Sequence, residues 1–143
     1  MSLTEYSEIY SPKYHSLVEI NIKHEKVHWY EHEAKLNTDV EQWKNGKILP
    51  EEKNLTSNIF RLFTQSDVNV GQGYYDKIIP YIKNNEARAM LGSFAAREGT
   101  HTRAYALFSD TMGFGESFYH EFLEYAEMKE KHEYMIESIG KSQ

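Results

Sequence analysis

The sequence predicts an all-α protein built as a helical bundle, and three observations lead to that fold class. Apolar residues recur at intervals of three and four along residues 86–110, which is the period of one helix face. The composition is rich in carboxylates and in aromatic residues, with seven Phe, eleven Tyr and two Trp against three Pro. No linker interrupts the 143 residues, so a single helical domain over residues 1–143 is expected.

The first part of the chain contains one predicted helix between two irregular stretches. Residues 1–13 have no clear period and are expected to form a partly extended arm. Ser11 followed by Pro12 resembles an N-cap with proline at the first helical position, which predicts a helix over residues 12–33. Residues 37–46 are polar and turn-like, so no helix is predicted there.

Three further helices are predicted in the remainder of the chain. The second begins at Leu49-Pro50 with acidic residues in its first turn, and Pro80 is expected to kink or interrupt it. The third follows a turn at Lys83-Asn84-Asn85, and Gly113 and Gly115 close it. The fourth covers residues 117–139 and is strongly charged. Its expected buried side consists of Phe118, Phe122, Tyr125, Met128, Tyr134 or Met135, and Ile139.

Charge and residue content exclude several classes of function. The chain has no cysteine, which rules out thiol catalysis, thiolate metal sites and disulfides within it. A formal net charge of −6 disfavours nucleic-acid binding through a broad basic surface. No apolar run reaches the length of a membrane span, so neither nucleic acid nor a membrane is an expected partner.

The third predicted helix carries an apolar stripe that contains three polar residues. The stripe consists of Ala87, Leu91, Phe94, Glu98, His101, Tyr105 and Phe108. Glu98 and His101 leave the same face one turn apart, and Tyr105 follows one turn later. Such groups on a buried face must be paired, hydrogen-bonded or bound to a metal. A Glu-x-x-His pair that projects into a helical bundle is the ligand geometry of di-iron and di-manganese carboxylate proteins.

Asp67 replaces an apolar residue on the second helix and is predicted to lie level with this pair. It precedes the turn at Asn84 by 17 residues, and Glu98 follows that turn by 14. In an antiparallel helix pair, both therefore stand roughly 21–26 Å from the turn. Two carboxylates and an imidazole at one height suit Fe or Mn better than structural zinc. The alternative is a buried Asp–His hydrogen bond that only fixes the helix register.

A second Glu-x-x-His, formed by Glu25 and His28, is interpreted differently. It lies in a run of alternating charge with no apolar stripe through it. A solvated or surface-paired role is therefore favoured over metal binding.

Three stretches together resemble the small (β, radical-bearing) subunit of class I ribonucleotide reductase, close to the phage and proteobacterial type. They are W-Y-E-H-E-A from Trp29, R-L-F-T-Q-S-D-V-N-V from Arg61, and N-N-E-A-R-A-M-L-G-S-F-A-A-R-E-G-T-H-T-R-A-Y from Asn84. The last stretch is highly specific. The resemblance covers nearly the whole chain from the first predicted helix into the fourth.

The resemblance implies a ferritin-like fold, a carboxylate-bridged di-iron site with Mn as the alternative metal, and a tyrosyl radical formed on oxygen activation. By motif, Asp67, Glu98 and His101 correspond to the metal ligands of the first half-site. Tyr105 corresponds to the radical tyrosine and Trp29 to the tryptophan on the electron-transfer route. The apolar shell that such a tyrosine needs is expected from Leu91, Phe94 and Phe108. The family passes the radical to a large subunit, which reduces ribonucleoside diphosphates to deoxyribonucleotides. A packing aromatic for Trp29 and a core phenol bonded to Asp67 for Tyr105 are the alternatives.

The chain departs from the family in length. The second half of the family fold supplies another carboxylate helix and a second Glu-x-x-His helix, and no residue after Tyr105 forms that motif. The predicted fold is therefore an incomplete ferritin-like bundle with three protein ligands, too few to enclose two irons. The chain is either an N-terminal fragment, or two copies meet as a homodimer that rebuilds the site.

Three functions remain open on the sequence alone. The first is a ribonucleotide reductase small-subunit fragment, expected to be inactive alone. The second is a ferritin-like metal-binding module, which needs neither Tyr105 nor Trp29. The third is a non-catalytic truncated dimer in which Glu98 and His101 pair with each other. With no cysteine and no leader sequence, the expected location is the cytoplasm, or the host cytoplasm if the chain is phage-encoded.

Overall fold

The predicted all-α class is confirmed by the computed structural model, which describes residues 2–140 and their side chains up to residue 137. No strand occurs in that range. The helices are α1 (His15–Lys26), α2 (Asn37–Lys44), α3 (Pro50–Gly73), α4 (Asn85–Met112), α5 (Ser117–His120) and α6 (Ala126–Gly140). The two longest, α3 and α4, pack against each other, and the shorter elements lie around them.

The ends of α3 and α4 follow from local sequence signals. Pro50 is the first residue of α3, and the Glu52 carboxylate accepts the N–H of the N-cap residue at 2.9 Å. Asn84 caps α4, because its side-chain oxygen accepts the N–H of Ala87 at 2.9 Å. Gly113 ends α4 with a left-handed φ of 81°, which glycine adopts without strain. Both predicted helices are therefore confirmed.

Pro80 interrupts the chain between α3 and α4, as predicted. A π-helical turn (Tyr74–Ile78) follows α3, and a 3₁₀ turn (Ile79–Tyr81) contains the proline. Proline has no N–H to donate, so the regular α-helical ladder cannot continue through it. Arg88 on α4 donates to the carbonyls of Ile79 and Ile82 at 3.1 and 2.9 Å, which ties this turn to the start of α4. The Ile79 carbonyl also accepts the N–H of Ile82 at 3.2 Å.

The first helix is shorter than predicted at its N-terminus. It begins at His15, because a carboxylate from α4 caps the backbone just before it. Glu86 is buried, and its Oε1 accepts the N–H of Lys13 at 2.6 Å and that of Tyr14 at 3.4 Å. The hydrogen bond from Lys13 and the others around it hold the pKa of the Glu86 carboxyl below its usual range. The predicted Ser-Pro cap is therefore wrong.

The same helix also ends earlier than predicted, at Lys26. The following residues form a loop with a 3₁₀ turn at Glu31–Glu33. Trp29 lies in this loop rather than on a helix. Its indole stacks against a ring on α4, a tertiary contact that a local helical pattern cannot reveal.

The stretch predicted as a turn forms α2. Asp39 lies in its first turn and Lys44 in its last, and both charges complement the helix dipole. Trp43 packs edge-on against Phe114, with ring centroids 5.5 Å apart. A short polar helix is marginal alone, so this aromatic contact is what favours it over a turn.

The predicted fourth helix is broken in two. After α5 comes a 3₁₀ turn (Glu121–Glu124), and Tyr125 is extended before α6 begins. Arg61 on α3 contacts the chain at the break, where its Nε donates to the carbonyl of Phe118 at 3.0 Å and its guanidinium pairs with Glu121. Phe118 and Phe122 are buried as predicted. Of the two predicted alternatives Tyr134 and Met135, Met135 is half-buried and Tyr134 is exposed. Ile139 lies outside the described side chains.

One side of the α3–α4 pair is open. The stripe on α3 that contains Asp67 begins with Leu55, Ile59 and Phe63, which are 62, 41 and 46% exposed. Of the predicted α4 stripe, Ala87 is fully buried and the others are half-buried. The fully buried apolar residues among those described are Ala87, Ala95, Met112, Phe118 and Phe122. The α3 and α4 stripes, which face the core by their period, are therefore only partly covered in the described part of the chain.

Candidate metal centre

The candidate centre lies where the second and third predicted helices, α3 and α4, pack antiparallel. Phe63 on α3 is level with Tyr105 on α4, with ring centroids 6.1 Å apart. Further along α3, Asp67 is level with His101. A Cβ atom at Gly71 would lie 3.5 Å from the Cβ of Glu98. Residue numbers therefore increase along α3 as they decrease along α4, so the two helices are antiparallel. The residue count from the turn predicted this arrangement.

Asp67, Glu98 and His101 converge at this point. One ligand atom from each lies within 4.8 Å of the other two, and no other such group of three occurs in the described part of the chain. His101 Nδ1 is 3.3 Å from Glu98 Oε2 and 3.8 Å from Asp67 Oδ2. The side chains are 17% (Asp67), 19% (Glu98) and 35% (His101) exposed. The site is therefore partly desolvated, and less dry than the sequence suggested.

The surroundings of Asp67 disfavour its ionised carboxylate, and a bound cation would stabilise that carboxylate. Its Oδ2 is buried and has no hydrogen-bond partner. Burial and then the negative charge of Glu98 raise the pKa of the Asp67 carboxyl, while His101 acts in the opposite direction. The 3.8 Å separation from His101 is too long for a hydrogen bond, so the predicted alternative of an Asp–His hydrogen bond is absent here.

A groove of about 450 Å³ runs beside the two carboxylates. Val68 on α3 and Tyr75 in the π-helical turn line one wall, and Ala95 and Thr102 on α4 line the other. The groove gives a metal ion and small molecules a path to Asp67, on the side that the half-buried helix pair leaves open.

Tyr105 lies in an aromatic pocket next to the carboxylates. Its ring stacks on Phe63 and meets Phe60 edge-on at 5.7 Å. Burial, with the charges of the two carboxylates, raises the pKa of the Tyr105 phenol, so the hydroxyl stays protonated at neutral pH. The sequence had assigned the apolar shell to α4 residues, of which Phe108 contacts Phe60 at 3.9 Å. The contacts of Tyr105 with Phe60 and Phe63 on α3 were not predicted. The position of Phe63 one helical turn before Asp67 indicated that its ring would lie near the site.

Phe94 was expected in the shell around Tyr105 and instead packs elsewhere. Its ring contacts His24 of α1 edge-on at 4.6 Å. His24 also shares a hydrogen bond with Ser93 at 3.0 Å. This part of α4 therefore holds α1 in place.

Trp29 stacks on His101. The ring centroids are 5.9 Å apart and the planes are inclined by 24°. The loop that carries Trp29 is tied to α4 by an ion pair between Glu31 and Arg103, which the sequence reasoning did not identify. The structure thus brings an indole into contact with one of the three candidate ligands.

The second Glu-x-x-His is a surface feature, as predicted. Glu25 and His28 are both exposed, and no third acidic or histidine ligand joins them in the described chain. The His28 ring packs edge-on against Tyr30 at 4.4 Å.

Comparison with known proteins identifies the family. The sequence model of the family described as "Ribonucleotide reductase, small chain" matches residues 7–143. The chain belongs to this family. The resemblance found in the sequence is thereby confirmed at the level of the family.

Viral small chains are among the relatives of this family member. It is 44% identical over 113 residues to a probable ribonucleoside-diphosphate reductase small subunit of Invertebrate iridescent virus 6, and 39% identical over 119 residues to that of Invertebrate iridescent virus 3. The matches cover 79 and 83% of this chain but 31% of each relative. The chain therefore spans less than a third of the length of these relatives, which are named as small subunits of an oxidoreductase.

A solved small subunit confirms the ferritin-like fold. The R2 subunit from Clostridium botulinum superposes with a TM-score of 0.81 at 20% identity, over 90% of this chain and 41% of that chain. This chain therefore corresponds to under half of the length of that R2 subunit. Within residues 2–140, no helix combines the length and apolar content needed to cross a bilayer.

Proposed function

We propose that this chain is the part of a ribonucleoside-diphosphate reductase small subunit that carries half of a di-metal site and the radical tyrosine. The observation behind the proposal is the convergence of Asp67, Glu98 and His101 beside the aromatic pocket of Tyr105. Family membership supports the assignment, and the geometry supports the residue roles.

The three side chains fit a hard or borderline cation. Two carboxylates lie close together, and one buried carboxylate oxygen has no donor. Such an arrangement is unfavourable unless a positive charge balances it. Carboxylate oxygens with one imidazole suit Fe or Mn, and Asp67 with the Glu98–His101 pair is half of the donor set of di-metal carboxylate bundles.

Tyr105 is proposed to hold the radical. When bound, the metal pair supplies the oxidising power. With O₂ as the oxidant, Tyr105 would lose one electron to the centre held by the three candidate ligands and its phenolic proton to one of the adjacent carboxylates. The rings of Phe60 and Phe63 would cover part of the phenol and slow its reaction with reductants.

Trp29 is proposed to relay an electron between His101 and a separate large subunit. The stacked contact gives a short path from the candidate ligand to the loop at the surface. Reduction of ribonucleoside diphosphates by that large subunit, and a cytoplasmic location, are part of the same proposal. The described chain alone is expected to lack turnover, because its donor set is incomplete.

Loading with ferrous iron and then oxygen tests the radical assignment. Because two copies of the chain are proposed below to complete the donor set, we expect the optical and electron spin resonance signals of a tyrosyl radical. We expect the Tyr105→Phe variant to lose these signals while it still binds metal. Tyr81→Phe, an exposed tyrosine in the 3₁₀ turn, is the matched control and should keep the signal. A signal that survives in Tyr105→Phe would assign the radical elsewhere. Metal uptake without any radical would favour a ferritin-like binding module.

A second copy of the chain is proposed to cover the open face. The exposed stripe of Leu55, Ile59 and Phe63 leads directly to Asp67, so the apolar surface and the incomplete site share one face. A twofold dimer through this face would bring together two aspartates and two Glu-x-x-His pairs, the full donor set of a di-metal bundle.

Sedimentation at micromolar concentration tests this dimer. The Leu55→Lys/Ile59→Lys variant is expected to be monomeric, because two charges would then lie in an apolar interface. Tyr134→Lys, on an exposed position of α6, should leave the dimer intact. A monomeric wild-type chain would refute the proposal. A metal content below about one Fe or Mn per dimer after anaerobic loading would count against a di-metal site formed by two copies.

A further inference from the structure

We propose that Glu31 and Arg103 form a positioning pair that holds the Trp29 indole against His101. The inference rests on the relay role proposed for Trp29. The pair would not touch the reacting groups. It would set the distance between the indole and the imidazole by fixing the loop to α4.

The pair is bidentate and is anchored on the helix. Arg103 Nε donates to Glu31 Oε1 at 3.0 Å, and Nη2 donates to Glu31 Oε2 at 3.3 Å. The same Nη2 lies 3.3 Å from Oγ1 of Thr100, which is buried in α4. A planar guanidinium with a third contact to the helix has little freedom to rotate. Arg103 therefore attaches the loop to α4 at a position close to His101.

The loop has few other anchors near Trp29. Val27 and Tyr30, on either side of the indole, are both exposed. A short turn stiffens the segment, since the N–H of Tyr30 donates to the Glu33 carboxylate at 2.9 Å and the N–H of Glu33 donates to the Tyr30 carbonyl at 2.9 Å. Because the turn is stiff, holding Glu31 in place also restricts the movement of Trp29.

The charges around Glu31 agree with a formed pair. The hydrogen bond from Arg103 is the main cause that lowers the pKa of the Glu31 carboxyl, and His32 contributes in the same direction. The side chains are 54% (Arg103) and 15% (Glu31) exposed, so the pair adds little to global stability. Breaking it should therefore release the loop without unfolding the bundle.

Fluorescence of a single-tryptophan chain tests the proposal. In a Trp43→Phe background Trp29 is the one remaining tryptophan, since the chain has two. Excitation at the red edge of the indole absorption, where tyrosine does not absorb, then reports on Trp29 alone. Acrylamide is the quencher, because it is neutral and does not respond to the charge changes. We expect Arg103→Gln and Glu31→Gln each to raise the quenching constant about two-fold as the loop opens locally, with circular dichroism and the melting temperature unchanged.

Matched variants separate positioning from a general effect. The swapped pair Glu31→Arg/Arg103→Glu should return the quenching constant toward the wild-type value. Arg103→Lys should give an intermediate quenching constant, because an ammonium group cannot form the two parallel hydrogen bonds of a guanidinium. Lys129→Gln, from an exposed pair with Glu133, should change nothing. Unchanged quenching in both single variants, or a rise that the swap does not reverse, would overturn the inference. The measurement needs no metal and no radical, so it can fail or succeed independently of the proposed function.

Discussion

Replacing Asp67 with asparagine is expected to weaken Fe²⁺ or Mn²⁺ binding by at least about 10–100-fold, the range found when the support of a metal ligand is removed. The same change is expected to stabilise the metal-free chain at neutral pH. Both effects have one cause, which is a buried, unpartnered carboxylate oxygen close to a second carboxylate. An amide keeps the shape of the side chain but removes the charge that only a cation balances.

The sign of the stability effect follows from the raised pKa of Asp67. A carboxyl whose pKa is higher in the folded state opposes folding once it is ionised, so this penalty applies at neutral pH. It is relieved as the pH falls through the folded-state pKa of Asp67. Asparagine removes the penalty, so the gain in stability should be present at pH 7 and disappear in acid.

Anaerobic titration against a chromophoric chelator measures the metal affinity, and urea unfolding with and without a chelator measures the stability. Asp76→Asn is the matched control, because Asp76 is exposed in the π-helical turn. It should change neither quantity. Unchanged metal affinity in Asp67→Asn would remove Asp67 from the site. Lower stability of the metal-free variant would show that Asp67 has a structural role instead.

Replacing Arg61 with methionine is expected to destabilise the chain by about 3 kcal/mol, at the lower end of the range for breaking a buried ion pair. The Arg61 side chain is 9% exposed and forms an ion pair with Glu121, which is 38% exposed and can be rehydrated. Arg61 also donates to the Phe118 carbonyl at 3.0 Å and to Asn58 at 2.8 Å, and lies 4.3 Å from the centroid of the Phe118 ring. It joins the segment after α4 to α3.

Urea or thermal unfolding of the metal-free chain measures this loss. Arg61→Lys should recover little of the lost stability, because an ammonium group cannot bind the Phe118 carbonyl, Asn58 and Glu121 at the same time as a planar guanidinium does. Lys129→Met, which breaks only an exposed pair with Glu133, should cost less than about 0.5 kcal/mol. A loss below about 1 kcal/mol in Arg61→Met would mean that apolar packing of Phe118 and Phe122 holds this segment, rather than the arginine.

The helices that build the candidate centre could be predicted because their signals are local. Pro50 and Gly113 mark ends of α3 and α4, and the structure confirms both. Asn84 was predicted as part of the turn before α4, and its side chain also caps that helix. Helical geometry then converts residue counts into distances, which is why the meeting of Asp67 with the Glu98–His101 pair could be predicted.

The elements that were predicted wrongly depend on contacts between distant parts of the chain. Glu86 caps the start of α1 from α4, Trp43 of α2 packs against Phe114, and Arg61 of α3 binds the Phe118 carbonyl where the last predicted helix is interrupted. Local propensity carries none of this information, since tertiary contacts override it.

The exposure of the candidate centre could not be predicted either. Periodicity identifies the face of a helix that seeks burial, but not whether another layer covers it. Phe63 shows the difference, because its position on the stripe is as predicted while nearly half of its surface is exposed. The role of Trp29 came from the resemblance alone, and its stacked contact with His101 depends on a loop that the helical pattern did not reveal.

Anomalous diffraction at the iron or manganese edge, on crystals loaded with Fe²⁺ or Mn²⁺ without oxygen, tests the central claim most directly. The expected result is a peak within about 2.0–2.3 Å of ligand atoms from Asp67, Glu98 and His101, the distances of first-row metals to oxygen and nitrogen ligands. A peak at the surface pair of Glu25 and His28 instead, or no peak in crystals of the metal-loaded chain, would contradict the account.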